Sequence, residues 1–174
     1  LLNTGARAPQ QWRQGEYWVS TDPRQLDLDT VHGYLTESSW AAGIDKETVA
    51  LSLENSLCFG LYHRTQQIGL ARMVTDFATF GYLCDVFVLP AHQGNGLGRF
   101  LVQCTLAHPG LQRLRRQLLL TSTAPWLYQK LGYEAVNQPD YTWTLLRRDI
   151  YRQQTTSDSG ADDINTAAPA RLTD

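Results

Sequence analysis

Apolar positions change their spacing along the chain, and the changes mark out its elements. Glu16 to Ser20 reads as a first strand, closed by the turn-forming Thr21-Asp22-Pro23. From Asp27 to about Thr36, Leu28, Val31, Tyr34 and Leu35 fall at the spacing of a helix with one buried face. A second helix is predicted from Asp45 to Asn55, where Val49, Leu51 and Leu53 are apolar and Asp45 serves as N-cap. Strand patterns follow. Leu57 to Arg64 and Ile68 to Thr75 flank Thr65-Gln66-Gln67 as an antiparallel hairpin, and Phe80 to Leu89 is a third, longer strand. A helix from Gly96 stops near His108-Pro109-Gly110. Gln117 to Thr121 is a short Leu-rich strand, and Pro125 to Leu131 a short helix with Pro in its first turn. Strands at 133–136 and 142–147 are expected to finish the sheet.

Two helices, an antiparallel meander and a strand-helix-strand crossover predict one α+β domain over residues 16–150. Its sheet is mixed and mostly antiparallel, with helices on both faces. Residues 1–15 are expected to be a loose arm. Residues 151–174, mostly Thr, Ser, Asp, Gly and Ala, are expected to be a disordered tail. A length of 174 residues suits a single core.

Composition narrows the partners. A net charge of −2 and a lone basic cluster (Arg113, Arg115, Arg116) argue against nucleic acid. No run approaches the roughly 18 apolar residues of a membrane span. Cys58, Cys84 and Cys104 lie in apolar runs without CxxC spacing, as reduced core residues of a cytoplasmic protein would. His32, His63, His92 and His108 lack ligand spacing, so no metal is expected.

The most informative segment runs from Val86 to Leu101. An apolar run breaks at Pro90, and a loop then supplies Gly94, Gly96 and Gly98 ahead of an amphipathic helix. Exposed N–H groups at such a helix start, with the macrodipole behind them, favour an anion and above all a phosphate. Gly98 is followed by Arg99 and Phe100, where a P-loop needs Lys and Ser or Thr. Arg99 also stands where a dinucleotide loop needs its third Gly, and the loop follows an antiparallel meander. Both alternatives fail.

Gln93-Gly94-Asn95-Gly96-Leu97-Gly98 instead matches Q/R-x-x-G-x-G/A. Ala124-Pro125-Trp126-Leu127-Tyr128-Gln129-Lys130-Leu131-Gly132-Tyr133 matches A-x-x-[FL]-Y-x-K-x-G-[FY] one strand downstream. The two motifs and the element order from about 16 to 147 resemble the GNAT superfamily of N-acetyltransferases. Two departures stand out: Thr121 replaces an Asn that contacts the cofactor in many relatives, and His92 replaces a frequent Tyr.

The resemblance implies an acyl-CoA N-acyltransferase fold, with acetyl-CoA as cosubstrate and a small-molecule or peptide primary amine as acceptor. It implies that Gln93, Gly94, Asn95, Gly96, Leu97 and Gly98 hold the pyrophosphate, with Thr121 near the cofactor. Arg99 is either a charge partner of that anion or an exposed side chain. Val86, Phe87 and Val88 would run beside the pantetheine arm, which requires their strand to splay from 117–121. Tyr128 would be the general acid that protonates the departing thiolate. Asp85 reads two ways: a base or ammonium anchor, or an ion-pair partner of Arg72 on the adjacent strand. Alternation places it with Phe87 and Leu89, opposite Val86 and Val88. Tyr34, Trp40 and Tyr82, with Ser38 and Ser39, are candidate acceptor-site residues or a plain hydrophobic cover. The expected assembly is a monomer or homodimer. A silent acyl-CoA-binding sensor is the competing function.

Overall fold

A computed structural model describes residues 7–151. The expected arm is not loose throughout. Gln11–Gln14 form an edge strand, β1, paired antiparallel with β2, Tyr17–Ser20. Gln-Trp-Arg-Gln carries no strand pattern; what holds it is backbone pairing plus Trp12, whose ring packs 6.0 Å from Phe59 and 6.2 Å from His108. The expected tail lies outside the described residues, apart from Tyr151.

Helix α1, Leu28–Leu35, and helix α2, Lys46–Glu54, start where the sequence marks them. Asp27 accepts from the N–H groups of Asp29 and Thr30, and Asp45 from that of Thr48, so each carboxylate satisfies orphan donors of a first turn. Buried Gln67 ties this region to the sheet. Its Oε1 accepts from Asp27 N at 2.6 Å and its Nε2 donates to Gly69 O at 3.1 Å.

β3, Leu57–His63, and β4, Gln66–Thr75, form the expected hairpin with a shorter turn. His63 faces Gln66, leaving Arg64 and Thr65 at the tip, with Arg64 at φ 54°. β5, Phe80–Val88, continues the meander. α3, Leu97–Ala107, crosses over to β6, Arg116–Leu119, and α4, Pro125–Gln129, follows. The sheet order is β1-β2-β3-β4-β5-β6, with β5 and β6 parallel and every other pair antiparallel. The strands expected at 133–136 and 142–147 are not formed: both segments are irregular and largely exposed, Trp143 and Leu145 included. Among the described residues their short alternation finds no strand to pair with, so local pattern alone does not make a strand.

Helices cover both faces. α3 buries Leu97, Phe100, Leu101, Val102 and Cys104 against Phe59, Ile68, Ala71, Met73 and Leu83. α1 and α2 bury Val31, Leu35, Val49 and Leu53 against Leu70 and Phe87 on the other side. No helix among the described residues is long and apolar enough to cross a membrane.

His108 ends α3 inside the first core. Its Nδ1 accepts from Gly110 N at 3.1 Å, while its Nε2 has no hydrogen-bond partner and the ring stands edge-on to Phe59. Burial lowers its pKa from the usual 6.5. The folded protein therefore keeps the ring neutral, whereas the unfolded chain takes up a proton near pH 6.5. Stability from this group is complete above that pH and falls as the pH drops toward the folded value. In urea melts, His108→Phe is expected to flatten the loss of stability between pH 7 and 5. An unchanged slope would remove His108 as its source.

Candidate active site

The glycine loop is fastened at its base. Leu89 N donates to Ile68 O at 2.7 Å, and the Gln93 side chain donates to Val88 O at 2.9 Å. The Gln93 side-chain amide thus fastens the loop to the end of β5. Asn95 Nδ2 donates to His92 O at 3.3 Å. Behind the turn, His92 meets His63 at 5.4 Å and Tyr17 at 6.4 Å. Gly94 and Gly96 take φ of 85° and 72°, left-handed values that favour glycine. Gly96 is the N-cap of α3 and no side chain caps it; the first helical bond runs from Phe100 N to Gly96 O. The N–H groups of Leu97, Gly98 and Arg99 therefore open outward at the positive end of an 11-residue helix. Arg99 is exposed beside them.

Next to this loop the sheet opens. β5 and β6 pair only from Phe80/Arg116 to Leu83/Leu119, while β5 runs on to Val88. Residues 84–88 thus keep an edge free of β6 for about 16 Å at roughly 3.3 Å per residue. The strand outruns its parallel neighbour, which ends at Leu119 with all four of its residues paired. The free edge therefore arises from the end of β6 and not from the expected parting of two strands. A bulge accompanies it: Arg72 faces Cys84 and Leu70 faces Phe87, so Ala71 alone opposes both Asp85 and Val86. Asp85 takes φ 50°, and the alternation of the strand shifts there. Leu83 and Val88 belong to the α3-side core, Phe87 to the α1-side core.

Asp85 is an ion-pair partner. Arg72 Nε donates to its Oδ2 at 2.7 Å, and Trp40 Nε1 donates to its Oδ1 at 3.1 Å. Arg72 also donates from Nη1 to Ser56 Oγ at 3.0 Å. Burial is the largest single influence on this guanidinium and would lower its pKa, but the charge and hydrogen bond of Asp85, together with Cys84 and Cys58, make the net shift upward. Each carboxylate oxygen is engaged, which leaves Asp85 as a holder of charge in this arrangement. Tyr34 lies flat on Phe87, with ring centroids 3.9 Å apart, and Trp40 tilts over Tyr34 at 6.2 Å. Tyr82 is half-buried in the same neighbourhood, and burial raises its pKa. Ser38, by contrast, is structural: it donates to Leu35 O and accepts from Ala41 N.

Tyr128 belongs to the other face. It projects from α4 into a cleft of about 850 Å³ beside β6, lined also by Thr121, Pro125 and Gln129. Its ring meets Tyr133 edge-on at 5.8 Å, and burial raises its pKa, so it stays protonated at neutral pH. Tyr133, pushed up to about 12 by burial, donates to Gln117 Oε1 at 3.2 Å. Thr121 Oγ1 accepts from Ala124 N at 3.2 Å, so one of its lone pairs helps turn the chain into α4, and its O–H and second lone pair are left to offer. The structure thus brings the loop, the free β5 edge and the start of α3 together. Asp85, Trp40, Tyr34 and Tyr82 cluster on the opposite face from Tyr128. Sequence reasoning missed Ser56 and the bond from Trp40 to Asp85; Ser56 carries no local signal, and Trp40 lies 45 residues from its partner.

Comparison with known proteins decides the family. The model of the acetyltransferase (GNAT) domain matches residues 54–135, from the end of α2 to just past Tyr133. A candidate acetyltransferase of Gibberella zeae, FG08082, is 38% identical over 143 residues, covering 70% of this chain and 81% of that protein. The chain belongs to the GNAT family of acetyltransferases. A crystal structure of a candidate GNAT acetyltransferase from Xanthomonas campestris pv. campestris agrees with this GNAT chain at TM-score 0.76 and 38% identity. That alignment covers 80% of this chain and 99% of the other. A Clostridium acetobutylicum protein, described as a predicted acetyltransferase with acetyl-CoA, shares the fold at TM-score 0.57 and 15% identity, covering 79% and 96%.

Proposed function

We propose that this GNAT protein transfers the acetyl group of acetyl-CoA to the primary amine of a small molecule or peptide. The observation that carries the reading is the end of β5–β6 pairing at Leu83/Leu119, next to a helix start bare of side chains. An extended thioester with an anionic tail fits such a place. The outward N–H groups of the α3 first turn suit the pyrophosphate, and the free backbone edge at 84–88 suits the amides of the pantetheine arm. The C. acetobutylicum neighbour, described with acetyl-CoA, has the same fold and supports the cosubstrate.

Within that frame the residues divide the work. A backbone N–H of the 86–88 stretch polarises the thioester carbonyl, and the amine lone pair attacks its carbon. The attacking nitrogen gives up its surplus proton to solvent as the amide forms; when the C–S bond breaks, the electron pair leaves on sulfur and Tyr128 supplies its proton, and solvent returns one to the phenol. A thiolate with pKa of about 8.5 needs only modest help. Tyr128→Phe is therefore expected to lower kcat about 30-fold, less than the roughly 100-fold or more usual for a lost general acid because the leaving group is a good one, while coenzyme A affinity stays within about twofold. Thiol release from acetyl-CoA across an amine panel, with calorimetry of coenzyme A binding, checks both. An unchanged kcat removes Tyr128 from the mechanism, and absent coenzyme A binding removes the whole reading.

A further inference from the structure

The face of β5 that carries Asp85 holds more polar structure than acetyl transfer as described above requires. Asp85 keeps a left-handed backbone, a conformation strained for most residues with a side chain. Its pairing with Arg72 is largely buried, with side chains 11% and 17% exposed, and two apolar residues would serve stability as well. The second carboxylate oxygen holds Trp40, whose ring is 53% exposed in the loop between α1 and α2. So exposed an indole gains little from burial, and its bond to Asp85 is the polar tie between this loop and the sheet. Trp40 meets the carboxylate through its ring edge, Tyr34 packs beside Trp40 at 6.2 Å and lies stacked on Phe87, and Tyr82 is close enough to feel the charge of Asp85. The neighbouring cation, Arg72, already donates to Asp85 and Ser56.

A carboxylate oxygen at the rim of an aromatic cluster attracts a cation, and the neighbouring ring faces favour an ammonium carried on an apolar body. We propose that Asp85 Oδ1 is the ammonium subsite of the acceptor and that Trp40 is its gate. The incoming ammonium takes the place of the indole N–H on Oδ1, and the rings of Trp40 and Tyr34 then enclose the body of the substrate. The acceptor class is a primary amine on an aromatic or alkyl body without a carboxylate beside the nitrogen, since such a carboxylate would face Asp85. The amine docks charged; the proton that frees its lone pair passes to water, and Asp85 remains a binding residue. This inference rests on the N-acetyltransferase reading for its reaction, not for its binding site.

The test uses 2-phenylethylamine and phenylalanine as probes. Their binding to the coenzyme A-loaded protein is measured by calorimetry, and their turnover by thiol release from acetyl-CoA. Phenylethylamine is expected to bind at least tenfold tighter than phenylalanine. Trp40→Ala should weaken it at least tenfold, with the loss in KM and not in kcat and with coenzyme A affinity retained. Trp40→Phe keeps a ring but vacates Oδ1, so it should bind the amine as tightly as the parent protein or more so. Equal binding of the two probes, an unaffected Trp40→Ala, or a Trp40→Phe as weak as Trp40→Ala would each overturn the subsite. If phenylethylamine binds with this pattern but no amine releases thiol, the subsite stands and acetyl transfer falls. If other amines are turned over while phenylethylamine does not bind, the subsite alone falls.

Discussion

Arg72→Leu is expected to destabilise the fold by about 3 kcal/mol, because it strands the carboxylate of Asp85 among apolar neighbours. The two side chains meet at 2.7 Å and are both largely buried. Without the guanidinium, Asp85 keeps only the indole N–H of Trp40, which cannot neutralise a charge. Breaking a buried pair from one side costs about 3–5 kcal/mol, and the slight exposure of this one places it at the lower end. The double variant Arg72→Leu/Asp85→Leu should recover most of the loss, since removing both charges removes the penalty along with the attraction. Urea denaturation of the four proteins in the cycle measures this directly. A single-variant loss below about 1 kcal/mol would mean that solvent reaches the pair and that the bulge does not depend on it.

Gly96→Val is expected to weaken coenzyme A binding by about 100-fold, equivalent to about 2.7 kcal/mol. At φ 72° a β-branched residue is strained, so the loop will relax toward negative φ and turn the N–H groups of the first helical turn away from a common point. No atom lies within 4 Å of the position a Cβ would take, so the folded protein has room for the side chain; that room is where an anion would sit. The loss should therefore fall on ligand affinity, read by calorimetry, with a much smaller change in thermal midpoint. Full affinity in this variant would dissociate the loop from the cofactor.

Most of the architecture was legible because it rests on local chemistry. Asp27 and Asp45 cap their helices, the meander alternates, and glycines with positive φ stand at 94 and 96, where the loop needs them. The failures have a common cause. β1 lacks a strand pattern and exists through pairing with β2 and through Trp12, while the alternating residues 142–147 lack a partner and stay irregular. Pairing is a property of two segments, and one segment's sequence does not report it. The site divides in the same way. Its loop and Tyr128 lie in contiguous motifs, whereas the grouping of Ser56, Arg72, Asp85 and Trp40 needs two strands, the bend before β3 and the α1–α2 loop to assemble. The bulge also escapes a sequence reading, because Asp85-Val86 looks like two ordinary steps of a strand.

The short ladder between β5 and β6 has a mechanical consequence. Only four residue pairs, ending at Leu83/Leu119, join β6 to β5 as a ladder, and besides that ladder Leu119, Tyr128, Leu131 and Tyr133 pack against the α3-side core. That packing therefore sets where Tyr128 stands relative to the loop. A substitution that loosened it would widen the mouth that admits a thioester and withdraw the proton donor together.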